Sequence, residues 1–143
     1  MPGRSGPWYP SARGRSVTTK GRALATIRVV IADDDPNVVD GLEGIFEAQA
    51  GIEVVARAQD AIGAVSAAQR LQPDVVVLDD RMPGLDACEA TRQIKALNPR
   101  TRVIFFTTYV DGMARALAAG ASSFLTKDCR PADLLRVIRS GQA

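Results

Sequence analysis

The chain has 143 residues, a formal charge of +2 and no histidine. That length is one ordinary domain, and the missing imidazole excludes Ser-His-Asp and Cys-His catalysis, histidine metal sites and phosphohistidine carriers. With 46% hydrophobic, 24% charged and 5% aromatic residues the chain can build a packed, aliphatic core.

Residues 1–26 come first. They hold Arg4, Arg13, Arg15, Lys20 and Arg22 and no acid, a charge of +5 that leaves −3 for the remainder. The stretch is rich in Gly, Pro and Ser, has Trp8 and Tyr9 as its aromatics, and shows no apolar period. A disordered, solvated basic extension is the expectation. The cysteines, Cys88 and Cys129, form no C-x-x-C pair, so a zinc knuckle is excluded and a reduced, intracellular protein is expected. No stretch reaches the roughly 18 apolar residues of a membrane span, which suits a soluble, cytoplasmic protein.

From Ile27 to Ser140 short apolar runs alternate with amphipathic segments. Ile27–Ala32 is a β-branched run ending in Asp33, the pattern of a buried strand. Pro36 then opens a helix with Val38, Leu42, Ile45 and Phe46 on its inner face, stopped by Gly51. A second strand over Ile52–Arg57 precedes a helix with Ile62, Val65, Ala68 and Leu71 inward, closed by Pro73. Val75–Leu78 is so apolar that it belongs at the sheet centre. A helix over Ala87–Leu97, with Ala90, Ile94 and Leu97 inward, leads to a fourth strand, Val103–Phe106. A weaker helix with Met113 and Leu117 inward ends at Gly120. Ser122–Thr126 is the fifth strand, and Pro131 opens a last helix carrying Leu134, Val137 and Ile138. Residues 141–143 form a short tail. The sum is (βα)5, an α/β flavodoxin-like fold: a parallel sheet in the order 2-1-3-4-5 with helices on both faces.

Ligands of such sheets bind beyond the carboxyl ends of the strands. Here those ends carry Asp33-Asp34-Asp35, Asp79-Asp80, Thr107-Thr108 and Lys127-Asp128. Because strands one and three are neighbours in this order, Asp33, Asp34 and Asp79 should converge. Three close carboxylates repel one another unless a cation or proton sits among them, and Mg2+ is the hard ion that accepts a few protein oxygens and keeps its waters. Thr107 and Lys127 can meet phosphoryl oxygens. Asp79, ending the most buried strand before the turn Arg81-Met82-Pro83-Gly84, is the candidate phosphoryl acceptor. Asp35, just before Pro36, reads as a helix cap.

Three segments together resemble the receiver domain of bacterial two-component response regulators, in particular its NarL/FixJ-type branch. They are Ile31–Pro36, Pro73–Gly84 and Ala119–Asp128. The resemblance implies that Asp79 takes a phosphoryl group from a sensor histidine kinase. It implies Mg2+ ligated by Asp33, Asp34, Asp79 and the backbone carbonyl of Arg81, with Thr107 and Lys127 on the phosphoryl oxygens. Thr107 and Phe124 would form the switch, and the face made by helix four, strand five and helix five would respond, controlling transcription or a protein partner. Such a domain is a phosphoacceptor, at most self-phosphorylating and self-dephosphorylating, and not otherwise an enzyme. With no helix-turn-helix in this chain, direct nucleic-acid binding is not expected; the oligomeric state is open between monomer and homodimer.

The sequence also departs from the family pattern. The interval from Thr107 to Ala121 is about two residues short, at Tyr109–Gly112. Ala87 stands where glycine is common, which costs about 1 kcal/mol if that position needs positive φ. Asp80 replaces an apolar residue and is expected to face water. Asp128 replaces a common proline, with a trans peptide the default. Two other readings compete: a receiver that signals without phosphorylation, and a haloacid-dehalogenase-like phosphatase with Asp33 as nucleophile and Asp35 as acid. The second leaves Asp79 unexplained.

Overall fold

A computed structural model describes residues 26–141. The expectations for the basic extension, apart from Thr26, and for residues 142–143 lie outside the described residues. The chain alternates β1 (Ile27–Ala32), α1 (Pro36–Glu47), β2 (Ile52–Ala58), α2 (Ala61–Leu71), β3 (Val75–Leu78) and α3 (Ala87–Leu97). It continues through β4 (Arg102–Thr107), a 3-10 turn (Val110–Gly112), α4 (Met113–Ala119), β5 (Ser123–Thr126) and α5 (Pro131–Ser140). The five strands form one parallel sheet in the order β2-β1-β3-β4-β5. The expected fold is the observed one.

Parallel strands demand cover on both faces, and two apolar layers supply it. Val30, Val76, Leu78 and Phe105 face α2, α3 and α4. Ile31, Val77 and Ile104 face α1 and α5, which contribute Phe46, Leu134 and Ile138. Strand β3 is buried along its whole length, as its unbroken apolar run required. Aspartates fix three of the helix starts: Asp35, Asp60 and Asp86 accept hydrogen bonds from the amides of Asn37, Gly63 and Glu89, satisfying donors that the first turn leaves free. At the opposite end Arg102, the first residue of β4, donates to the carbonyls of Val137 and Ile138 in the last turn of α5, at 3.1 and 2.5 Å.

The inner faces of the helices differ from the sequence expectation. In α2 the buried residues are Ala61, Ala64, Ala67 and Ala68, while Ile62 is 61% exposed. In α4 they are Ala116 and Ala119, while Met113 and Leu117 are each about half exposed. Leu97 also faces out, and in α1 Val39 replaces Val38 as the buried residue. Small side chains let these helices lie close to a sheet whose own aliphatic residues already fill the space. Ala87 opens α3, and among the described residues Gln72 is the one non-glycine with positive φ, so alanine is unstrained there. The turn after Asp79 takes its positive φ at Gly84 instead, at +92°. No described peptide bond is cis, that of Lys127-Asp128 included.

Candidate functional site

Because all five strands run the same way, their last residues deliver side chains to one pole. Asp33 follows β1 directly, and Asp79 follows β3; Asp79 N donates to the carbonyl of Ala32 at 3.0 Å, tying the two strand ends together. Each of Asp33, Asp34 and Asp79 offers a carboxylate oxygen, and these oxygens all lie within 4.8 Å of one another. Asp33 and Asp79 are buried, whereas Asp34 is exposed. An all-oxygen set, two members shielded and one open to water, is the donor chemistry of a hard divalent cation.

Lys127, just beyond β5, places its Nζ 2.7 Å from Asp33 Oδ2 and 3.5 Å from Asp79 Oδ2. Two backbone amides complete the pattern: Asp35 N donates to Asp33 Oδ1 at 2.9 Å, and Asp80 N donates to Asp79 Oδ1 at 2.8 Å. Burial raises the pKa of Asp79, the neighbouring Asp33 charge adds to the rise, and Lys127 and the Asp80 amide oppose it with the net shift upward. For Lys127 burial works against the charged form, but the hydrogen bond to Asp33 and the charges of Asp79 and Asp33 prevail and raise its pKa. The site is therefore short of positive charge even with its lysine in place.

Thr107, the last residue of β4, is fully buried. Its hydroxyl oxygen accepts a hydrogen bond from the amide of Tyr109 at 3.1 Å. Phe124 in β5 stacks on Phe105, with ring centroids 6.0 Å apart and planes 19° from parallel. Of the flanking acids, Asp35 caps α1 as expected and Asp128 accepts a hydrogen bond from Thr126 Oγ1.

Asp80 does not simply face water. It is half-buried, and a Cβ added to Gly112 would stand 3.0 Å from its Oδ2, so glycine is what lets the turn before α4 lie against it. Next to this contact, Arg81 lays its guanidinium over the Tyr109 ring, 3.8 Å from the centroid, and pairs with Asp111 Oδ1 at 3.0 Å. Nothing in the spacing of Arg81, Tyr109 and Asp111 signals this clasp; it exists because β3 and β4 are neighbours and their following loops touch.

Comparison with known proteins agrees with this geometry. The "Response regulator receiver domain" family matches residues 29–139. The "Transcriptional regulatory protein LiaR" of Bacillus subtilis (strain 168) is 37% identical over 116 residues, covering 80% of this chain and 55% of LiaR. The "Response regulator protein VraR" of Staphylococcus aureus (strain NCTC 8325 / PS 47) is 33% identical over 116 residues, covering 80% of this chain and 56% of VraR. The chain thus spans about half the length of the curated relatives it matches. Among solved structures, the response regulator domain of Thermotoga maritima CheB superposes with a TM-score of 0.76 at 32% identity, covering 81% of this chain and 96% of that one. The receiver domain of the putative response regulator NarL from Mycobacterium tuberculosis gives a TM-score of 0.77 at 28% identity, covering 81% and 95%. With its fold, its strand order and the matched residues in agreement, this chain belongs to the response regulator receiver domain family of two-component systems.

Proposed function

We propose that this domain accepts a phosphoryl group from a sensor histidine kinase onto Asp79. The observation that carries the reading is the convergence of Asp33, Asp34 and Asp79 within 4.8 Å, with Lys127 bridging two of them. An oxygen of Asp79 attacks phosphorus, the bond from phosphorus to the donor's imidazole nitrogen breaks, and that nitrogen keeps the electron pair and takes up a proton. Lys127 and Thr107 hold the phosphoryl oxygens, while burial around Asp79 slows the approach of water to the acyl phosphate. Asp33, Asp34, Asp79 and the carbonyl of Arg81 would hold Mg2+, which would supply positive charge to offset that of the carboxylates and the phosphoryl group.

Phosphorylation raises the charge on Asp79 from −1 to about −2 and adds acceptor oxygens. Thr107 and Lys127 gain partners, Phe124 repacks beside Phe105, and the α4–β5–α5 face shifts between two arrangements. The domain thereby controls transcription or a protein partner, a reading supported by relatives named as transcriptional regulatory proteins. It is a cytoplasmic phosphoacceptor and not an enzyme acting on a separate substrate. None of the helices among the described residues is long and apolar enough to cross a membrane.

The deciding experiment treats the protein with Mg2+ and acetyl phosphate and maps the modified carboxylate. The expected adduct is on Asp79 and is lost in Asp79→Asn. An adduct on Asp33 would favour the phosphatase-like reading, against which stands Asp35, whose carboxylate is engaged as the cap of α1. No adduct with several donors would favour a receiver that signals without phosphorylation.

A further inference from the structure

Two departures from the family pattern, the acid at Asp80 and the short segment Tyr109–Gly112, meet in space. Gly112 accommodates Asp80 Oδ2, and alongside it Arg81 holds both the Tyr109 ring and the Asp111 carboxylate. Tyr109 is in turn bound through its amide to Thr107 Oγ1. A continuous chain of contacts therefore runs from the Thr107 hydroxyl, through Tyr109 and Arg81, to the loop that follows Asp79. Through Asp111 the same clasp grips the 3-10 turn leading straight into α4.

We propose that Arg81 is a positioning residue whose side chain latches the loop after Asp79 onto the Tyr109–Gly112 turn in the resting state, and that this latch opens when Asp79 is phosphorylated. The inference rests on the phosphoacceptor reading above. In this proposal the Thr107 hydroxyl, which accepts from the Tyr109 amide at 3.1 Å, swings toward a phosphoryl oxygen on Asp79, and the swing stretches that contact. The Tyr109 backbone then leaves the position that keeps its ring beneath the guanidinium. What remains of the latch is an ion pair whose side chains are 49% and 73% exposed, too weak to hold the turn by itself. A contact made only in the resting state biases the equilibrium against the phosphorylated arrangement by its own strength. For one exposed ion pair and one exposed cation–π contact that bias is about 3- to 10-fold.

The test is titration of the full chain with beryllofluoride in the presence of Mg2+, reading affinity from the amide resonances of α4. Arg81→Gln should bind about 3- to 10-fold more tightly than wild type and Tyr109→Leu, which keeps the ion pair, about 2- to 5-fold more tightly, with the double variant no tighter than Arg81→Gln. Tyr109→Phe, which keeps the ring, should retain the wild-type affinity, as should Arg92→Gln, which breaks an exposed pair with Glu89 elsewhere. Without Mg2+ or beryllofluoride, the resonances of residues 108–117 in Arg81→Gln should already lie partway toward their bound positions. Unchanged or weaker binding by Arg81→Gln, with wild type binding normally, overturns the latch alone. A wild-type chain that takes up no beryllofluoride overturns the phosphoacceptor reading, and the latch with it.

Discussion

Lys127 stands closer to Asp33 than to Asp79, 2.7 Å against 3.5 Å. Its charge is therefore shared between the two carboxylates, and it is the cation that keeps both tolerable where they are buried. Replacing it with an uncharged chain of similar length leaves them uncompensated. Lys127→Met should cost about 2–3 kcal/mol in urea unfolding of the metal-free protein near neutral pH. Saturating Mg2+ should restore most of that loss.

Asp79 has the opposite sign. Its pKa is raised by burial and by Asp33, so the folded state holds its ionised form less readily than the unfolded chain does. Its contribution is most favourable below the ordinary value of 3.8 and worsens as pH rises from there through the raised folded value. Near neutral pH Asp79→Asn should raise stability by about 1 kcal/mol, while abolishing acyl phosphate formation. Thermal melts with and without Mg2+ check this. Wild type should gain about 2.7 kcal/mol at a hundredfold excess over the dissociation constant, and Asp79→Asn or Asp34→Asn should gain much less.

A second buried acid lies far from that pole. Glu43 on α1 is 2% exposed, its Oε1 has no hydrogen-bond partner, and Arg57 Nη1 approaches it to 3.4 Å. Burial, partly offset by Arg57, pushes its pKa from 4.5 to about 7. A raised carboxyl pKa favours the fold below the unfolded value, so this part of the stability is lost as pH climbs from about 4.5 to 7. The full loss is about 3 kcal/mol. Glu43→Gln should unfold at higher urea than wild type at about pH 8, and the difference should nearly vanish at about pH 4.5.

The orientation of α4 gives a packing test. Leu117→Ser should change stability by no more than about 0.5 kcal/mol, because Leu117 faces solvent. Ala116→Leu should cost about 1–3 kcal/mol, because Ala116 is fully buried against the sheet. Urea midpoints of the two variants decide it, and the reverse ranking would mean that the helix is turned the other way.

These helices also show what a linear reading captures. Strand order, the polar pole and the carboxylate trio were legible, since each depends on runs and strand-end residues that parallel topology sends to one place. The faces of α2 and α4 were not. Apolar periodicity weights large residues, and here Ile62, Met113 and Leu117 point outward while alanines make the close contacts. Glu43 was silent for a related reason: a glutamate on an amphipathic helix reads as solvated, and only the packing of α1 on β2 buries it. The clasp of Arg81 with Tyr109 and Asp111 joins residues some 30 positions apart, beyond the reach of any local pattern.

Arg102 has an architectural consequence. By gripping the final carbonyls of α5 from the first residue of β4, it moors the end of that helix at the hemisphere farthest from the carboxylates. A probe attached in the last turn of α5 would consequently sit at the pole opposite Asp33 and Asp79. Any signal it picks up from those carboxylates has the length of α5 to cross.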